Sequence, residues 1–147
     1  MAILQGDAAI KSWRWPHYGP SEMTCPCGCG VLLIDEAHMN SLECLRAKCN
    51  FQLVVSSGYR CPAYNLKVAH TGLRGPHTTG KATDFSILGE QAALLVRFAM
   101  SLDLASCANA VPIMGLGISQ REGSDRFVHV DSLTEADGYP RPRVWSY

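Results

Sequence analysis

The segment from Tyr59 to Lys81 carries two prolines and three glycines and holds neither a helical nor a strand period. A connection of that length without regular structure of its own is uncommon inside a compact domain, and it marks a functional loop more often than a mere connector. It lies between two strand candidates. Phe51 to Ser56 (FQLVVS) is apolar and β-branched and is closed by Ser57-Gly58; Ala82 to Ser86 reads as the second strand.

Around this loop the chain shows two helical patterns. Asp35 is placed to cap a helix running to about Cys49, with Met39, Leu42, Leu45 and Cys49 recurring at three- and four-residue steps. Glu90 to Leu102 puts Leu94, Leu95, Phe98, Ala99 and Leu102 on one apolar face and turns Glu90, Gln91 and Arg97 away from it. Gly115 to Ser119 and Phe127 to Asp131 are two further strands, with Gln120 to Ser124 between them as a hairpin loop. Residues 1–30, rich in Trp, Tyr, Pro, Gly and Cys, read as an irregular N-terminal arm. The expectation is a single α+β domain over residues 1–147, with two helices on a small antiparallel sheet of about four strands.

Charge narrows the function classes. Lys plus Arg and Asp plus Glu both number 13, so a diffuse electrostatic grip on nucleic acid or an anionic membrane is not expected. No run of 18 apolar residues offers a membrane span. The start, MAILQGDAAIKSW, has no basic stretch followed by an apolar core, so no secretory signal is expected and synthesis in the cytoplasm is. Nothing in the sequence asks for an oligomer, and a monomer is expected.

The chemistry concentrates in Gly75-Pro-His77-Thr-Thr-Gly-Lys-Ala-Thr-Asp84-Phe85 and in Phe127-Val-His129-Val-Asp131. His77 and Asp84 are too far apart for one helical turn, but a turn through Gly80 feeding the strand from Ala82 can aim both at one point. Ala82 shares a strand face with Asp84, and His129 shares one with Asp131, because side chains alternate along a strand. Two imidazoles and one carboxylate make a tetrahedral zinc site whose fourth position is open to water. Zinc lowers the pKa of such a water to roughly 7, which supplies hydroxide at neutral pH.

Together with Ser57-Gly-Tyr-Arg60-Cys-Pro, these motifs resemble the zinc D-Ala-D-Ala carboxypeptidase family, which includes L-alanoyl-D-glutamate endopeptidases used as phage endolysins. The likeness runs from about Tyr18 to Trp145. It takes in the opening Ser21-Glu-Met-Thr-Cys-Pro-Cys-Gly-Cys-Gly30 and an Arg143-Val-Trp145 tail typical of a phage- and bacterium-encoded branch. The resemblance implies one zinc ion held by His77, Asp84 and His129. It also implies that Arg60 orients the substrate, a job that suits the paired donors of a guanidinium. The implied substrate is a peptidoglycan stem peptide, reached from the cytoplasm by lysis machinery or as part of a virion.

Two positions depart from the family pattern. Gly75 stands where a Ser is frequent, and Arg126 stands three residues before His129, where members carry an acidic general base. An arginine cannot take a proton from water, so Asp125 and Asp131 are the candidates for that role. Asp131 has a second natural job, supporting a ligand histidine. The absent acid also favours an alternative, a zinc-stabilised wall-binding or virion domain without turnover. The family resemblance extends to the hedgehog signalling domain, which has a similar metal site.

Seven cysteines are an odd set, so at least one stays unpaired within a monomer. Cys25, Cys27 and Cys29 alternate with Pro26 and Gly28, and no Cys-x-x-Cys knuckle is present. The cysteines are therefore expected as packed or exposed thiols. A disulfide from the Cys25–Cys29 segment to Cys61 is the next reading and a second metal site the last. Cys44 and Cys49, on a core-facing helix, are expected as small hydrophobes. Asp35-Glu-Ala-His38 spells a helicase box, but without a phosphate-binding loop it reads as a capped helix start. The Trp13–Tyr18 aromatics read as an arm packed on the domain.

Overall fold

A computed structural model describes residues 2–101 and 106–147. Strands β1 (Ile3–Gln5) and β2 (Leu33–Asp35) pair antiparallel as a small ribbon, with α1 (Gly6–Lys11) and α2 (Pro20–Met23) between them. The α3 helix (Glu36–Cys49) begins where the Asp35 carboxylate accepts from the His38 backbone N–H at 2.8 Å, an ordinary N-cap. It ends at Asn50, whose φ of 56° breaks the helical repeat.

The main sheet holds five strands in the order β3 (Val54–Ser57), β4 (Ala82–Ser86), β6 (Phe127–Asp131), β5 (Gly115–Ser119) and β7 (Arg143–Ser146). The first three junctions are antiparallel, while β7 runs parallel to β5. The α+β class agrees with the sequence. The strand count and the purely antiparallel character do not: β7, the ribbon and the short helices of the N-terminal arm were not expected. Strand β7 is an edge strand whose partner among the described residues lies 28 residues earlier, Gly115 against Arg143, so no local pattern announces it.

One face of this sheet builds the core. Phe85, Val128, Val130 and Leu116 are buried there with Leu42 and Leu45 of α3 and with Leu95 and Ala99 of α5 (Gly89–Met100). The predicted end of that helix at Leu102 lies outside the described residues. Trp15 and Tyr18 join the same core. The Trp15 indole donates to Asn40 Oδ1 at 2.8 Å and the Tyr18 hydroxyl to the Leu42 carbonyl at 3.0 Å, so the aromatic arm packs on the domain.

Two expectations need correction here. The segment from Tyr59 to Lys81 is not bare loop. It contains α4 (Pro62–Val68) and two short 3-10 turns, Gly72–Arg74 and Pro76–Thr78. Pro62 at the first helical position, where its missing N–H costs nothing, is the signal that could have found α4. Cys44 is not a lone apolar filler, because it forms a disulfide with Cys107, Cα to Cα 6.0 Å.

Candidate metal centre

The other face of the sheet carries the polar site. In the β4–β6 register Asp84 lies opposite His129 and Ala82 opposite Asp131, so strand parity places both ligand candidates on one face side by side. His77 arrives from the 3-10 turn Pro76–Thr78, which the backbone bond from Arg60 N–H to the His77 carbonyl (2.9 Å) fixes against the segment after β3. The two imidazoles meet edge to face with centroids 5.1 Å apart. All three side chains are buried.

Hydrogen bonding fixes which ring atoms are free. His77 Nδ1 lies 2.7 Å from the Gly58 carbonyl, which can only accept, so Nδ1 carries the proton and Nε2 the lone pair. His129 Nε2 lies 2.9 Å from the Asp131 carboxylate, leaving Nδ1 as its lone-pair atom. Those two lone pairs face the same oxygen: Asp84 Oδ1 is 3.1 Å from His77 Nε2 and 2.8 Å from His129 Nδ1. Three acceptors aimed at one another in a buried place repel unless a cation lies among them. The donor set, two imidazole nitrogens and a carboxylate oxygen within 4.8 Å of one another, fits a zinc ion.

The electrostatics agree. When the imidazoles carry protons in place of a cation, burial pushes the Asp84 carboxyl up, but the charges and hydrogen bonds of His77 and His129 outweigh it and hold it well below the usual carboxylate range. For His129, burial pulls the imidazole down while hydrogen bonds to Asp131 and Asp84 raise it further than burial lowers it. A site that stabilises positive charge on His129 stabilises a metal cation by the same field.

Support extends beyond the three donors. Asp131 is fully buried behind His129, with Oδ1 accepting from Arg141 Nε at 2.9 Å and Oδ2 from Arg141 Nη2 at 2.7 Å. Burial raises its carboxyl, yet the Arg141 and His129 hydrogen bonds bring it down to about 2. With both oxygens engaged and no exposure, Asp131 is not placed to take a proton from water. Of its two possible roles the geometry gives it the holding of His129. Room for its carboxylate comes from Gly115 opposite it on β5, where a Cβ would collide with all three carboxyl atoms. Gly117, opposite His129, likewise makes way for the Trp145 indole, which packs 5.1 Å from the His129 ring.

Arg60 donates through Nε to Ser57 Oγ (2.8 Å) and through Nη2 to Asp84 Oδ2 (3.2 Å). It therefore fixes the Asp84 carboxylate from behind, leaving Oδ1 to the imidazoles, and it also lines the cleft. Asp125 is exposed on the loop before β6 and forms part of the cleft wall with Arg126. The Ser frequent at the position of Gly75 has no room here, because a Cβ would meet the Thr71 hydroxyl and lie 2.6 Å from Asn65 Nδ2. Buried Asn65, which ties α4 to Thr71 and the Gly72 carbonyl, and Arg141, which holds Asp131, support the site without any signal in the sequence motifs.

The cleft over the site has a volume near 930 Å³. Arg60, Arg74, Arg126 and Arg143 line it with Trp145 and Tyr147, against two carboxylates, Asp84 and Asp125. The family model described as Peptidase M15 matches residues 16–131, most of the chain and all three donors.

The chain belongs to the peptidase M15 family. No curated protein and no solved structure matches it significantly. Membership agrees with the zinc D-Ala-D-Ala carboxypeptidase-like family that the sequence motifs resemble. The matched region ends at Asp131, so Arg141 and the Trp145 tail lie beyond it. No described helix is long and apolar enough to cross a membrane.

Proposed function

We propose that this M15 peptidase hydrolyses an amide bond in peptidoglycan stem peptides, of the D,D-carboxypeptidase or L,D-endopeptidase type, at a single zinc centre on His77, Asp84 and His129. The carrying observation is the convergence of His77 Nε2, His129 Nδ1 and Asp84 Oδ1, each oriented by its own hydrogen bonds, at the floor of an open cleft. Zinc held there supplies a Lewis acid that polarises a carbonyl and activates water.

The rest is the work of the chain. Gly58 and Asp131 hold the two imidazoles in the tautomers the donors require. Arg60 steadies Asp84 and faces the cleft, where its remaining donors meet a substrate carbonyl or carboxylate. The surplus of arginine along the walls suits the free carboxylates of a stem peptide. Asp125 is the cleft carboxylate left to move the proton from water to the departing amine. A wall-binding domain without turnover is the second reading, favoured by Arg126 in the cleft where family members carry an acid.

Separate Asp125→Asn and His77→Ala variants test this. Loss of cleavage in both is expected, with zinc lost from the His77–Asp84–His129 centre only in the second. Undiminished cleavage by His77→Ala would overturn the assignment of the centre.

A further inference from the structure

Away from the cleft, four thiols from two distant parts of the chain meet. Cys25, Cys27 and Cys29 come from the turn between α2 and β2, and Cys61 comes from the first position before α4. The four sulfurs all lie within 4.8 Å of one another. Cys25 Sγ is 3.4 Å from Cys27 Sγ, and Cys27 Sγ is 3.8 Å from Cys61 Sγ. Sulfurs at the corners of a tetrahedron around zinc, each about 2.3 Å from the ion, stand about 3.8 Å apart. We propose that Cys25, Cys27, Cys29 and Cys61 form a second, structural zinc site of four thiolates.

The local backbone is arranged for it. The antiparallel bridge between Thr24 and Leu32 and the bond from Cys25 N–H to the Val31 carbonyl (2.9 Å) close the base of the turn. Gly28 and Gly30 take φ values of 87° and 71°, which lets Cys-Pro-Cys-Gly-Cys-Gly curl so that every second residue presents sulfur to one point. The Cys61 backbone N–H points at Cys25 Sγ at 3.2 Å, the kind of donor that stabilises charge on a ligating sulfur. This is the shape of a knuckle without the Cys-x-x-Cys spacing, which is why the sequence ranks it last.

Disulfides account for the cluster less well. Cys44 and Cys107 are joined covalently, whereas these four remain at non-bonded separations around a shared centre. A single disulfide within the set would also leave two thiols without a role. Zinc satisfies all four together, and the thiol protons leave as it binds.

The consequence reaches the cleft. Cys61 directly follows Arg60, and the Tyr59 N–H bonds the Met23 carbonyl at 3.1 Å, so the ion pins the segment carrying Gly58 and Arg60 onto the N-terminal turn. That segment orients His77 and Asp84.

The test uses the whole chain carrying His77→Ala and His129→Ala, which removes the imidazole donors of the first centre, with metal measured by plasma emission. One zinc per chain is expected to remain, and adding Cys29→Ser, an exposed ligand with no core packing to lose, is expected to release it. In the unaltered chain loaded with cobalt(II), an intense thiolate-to-cobalt charge-transfer band is expected in the near ultraviolet, one that a His-Asp-His site cannot give. No zinc in the double variant together with no such band overturns the site, as does a disulfide among the four found by peptide mapping. If the double variant does not fold, the cobalt band alone decides. None of these readouts depends on peptide cleavage, so failure here leaves the proposed activity standing.

Discussion

Both carboxylate oxygens of Asp131 are committed, to Arg141 and to His129, and the side chain is fully buried. Asp131→Asn keeps the volume but removes the charge that opposes Arg141 and favours the His129 tautomer. Zinc affinity, measured by competition with a chromophoric chelator, is expected to fall roughly 10- to 100-fold. Asp125→Asn is expected to leave that affinity unchanged and to lower turnover by roughly 10²- to 10⁴-fold. Equal zinc affinity in Asp131→Asn and the unaltered chain would contradict the supporting role. His77, Asp84 and His129 were picked out by the resemblance to the family, and the structure brings their donor atoms within 4.8 Å of one another. Arg141 was not, since it lies beyond β6 in irregular chain and joins Asp131 only through tertiary folding. Gly115 was equally silent: what it makes room for is a neighbour across the sheet, which no single-strand pattern records.

At the scale of elements, the helices with sustained periods and the three strands β4, β5 and β6 could be read directly. The short α4 has a pattern too brief to stand out beyond its opening Pro62, and the parallel edge strand β7 depends on a partner far along the chain. Two element-level predictions follow from α3. Its disulfide joins Cys44 to Cys107 across a separation of 63 residues. By loop-closure entropy, replacing both with Ala costs about 4 kcal/mol in urea unfolding, and an unchanged midpoint would show that the bond does not constrain the chain. His38 of the same helix is buried between Ser132 Oγ and Thr83 Oγ1, both at 3.1 Å. Burial pulls its imidazole down to about 3, so the folded protein cannot take the proton that the unfolded chain accepts near pH 6.5. The unfolded state binds more protons in that window, so stability falls as pH drops from about 6.5 toward 3. Thermal unfolding against pH is expected to show a shallower fall in His38→Gln, with parallel curves counting against His38.

Across the whole molecule the net charge is zero, yet the cleft walls carry an excess of arginine. The electrostatic bias is therefore local to the site, as recognition of a small acidic peptide requires and a polyanion-binding surface does not. The sheet divides the work between its faces, one packed on α3 and α5 and the other bearing the metal donors. The most direct test of the proposed peptidase activity is to digest purified stem peptides with the zinc-loaded protein, beside His77→Ala, and read the products by mass spectrometry. Hydrolysis at this centre gives a discrete mass loss that identifies the bond cut and that disappears in the variant. Intact peptides from a protein verified to hold zinc at this centre would contradict it, and would favour a wall-binding domain in which Arg126 stands where a base is needed.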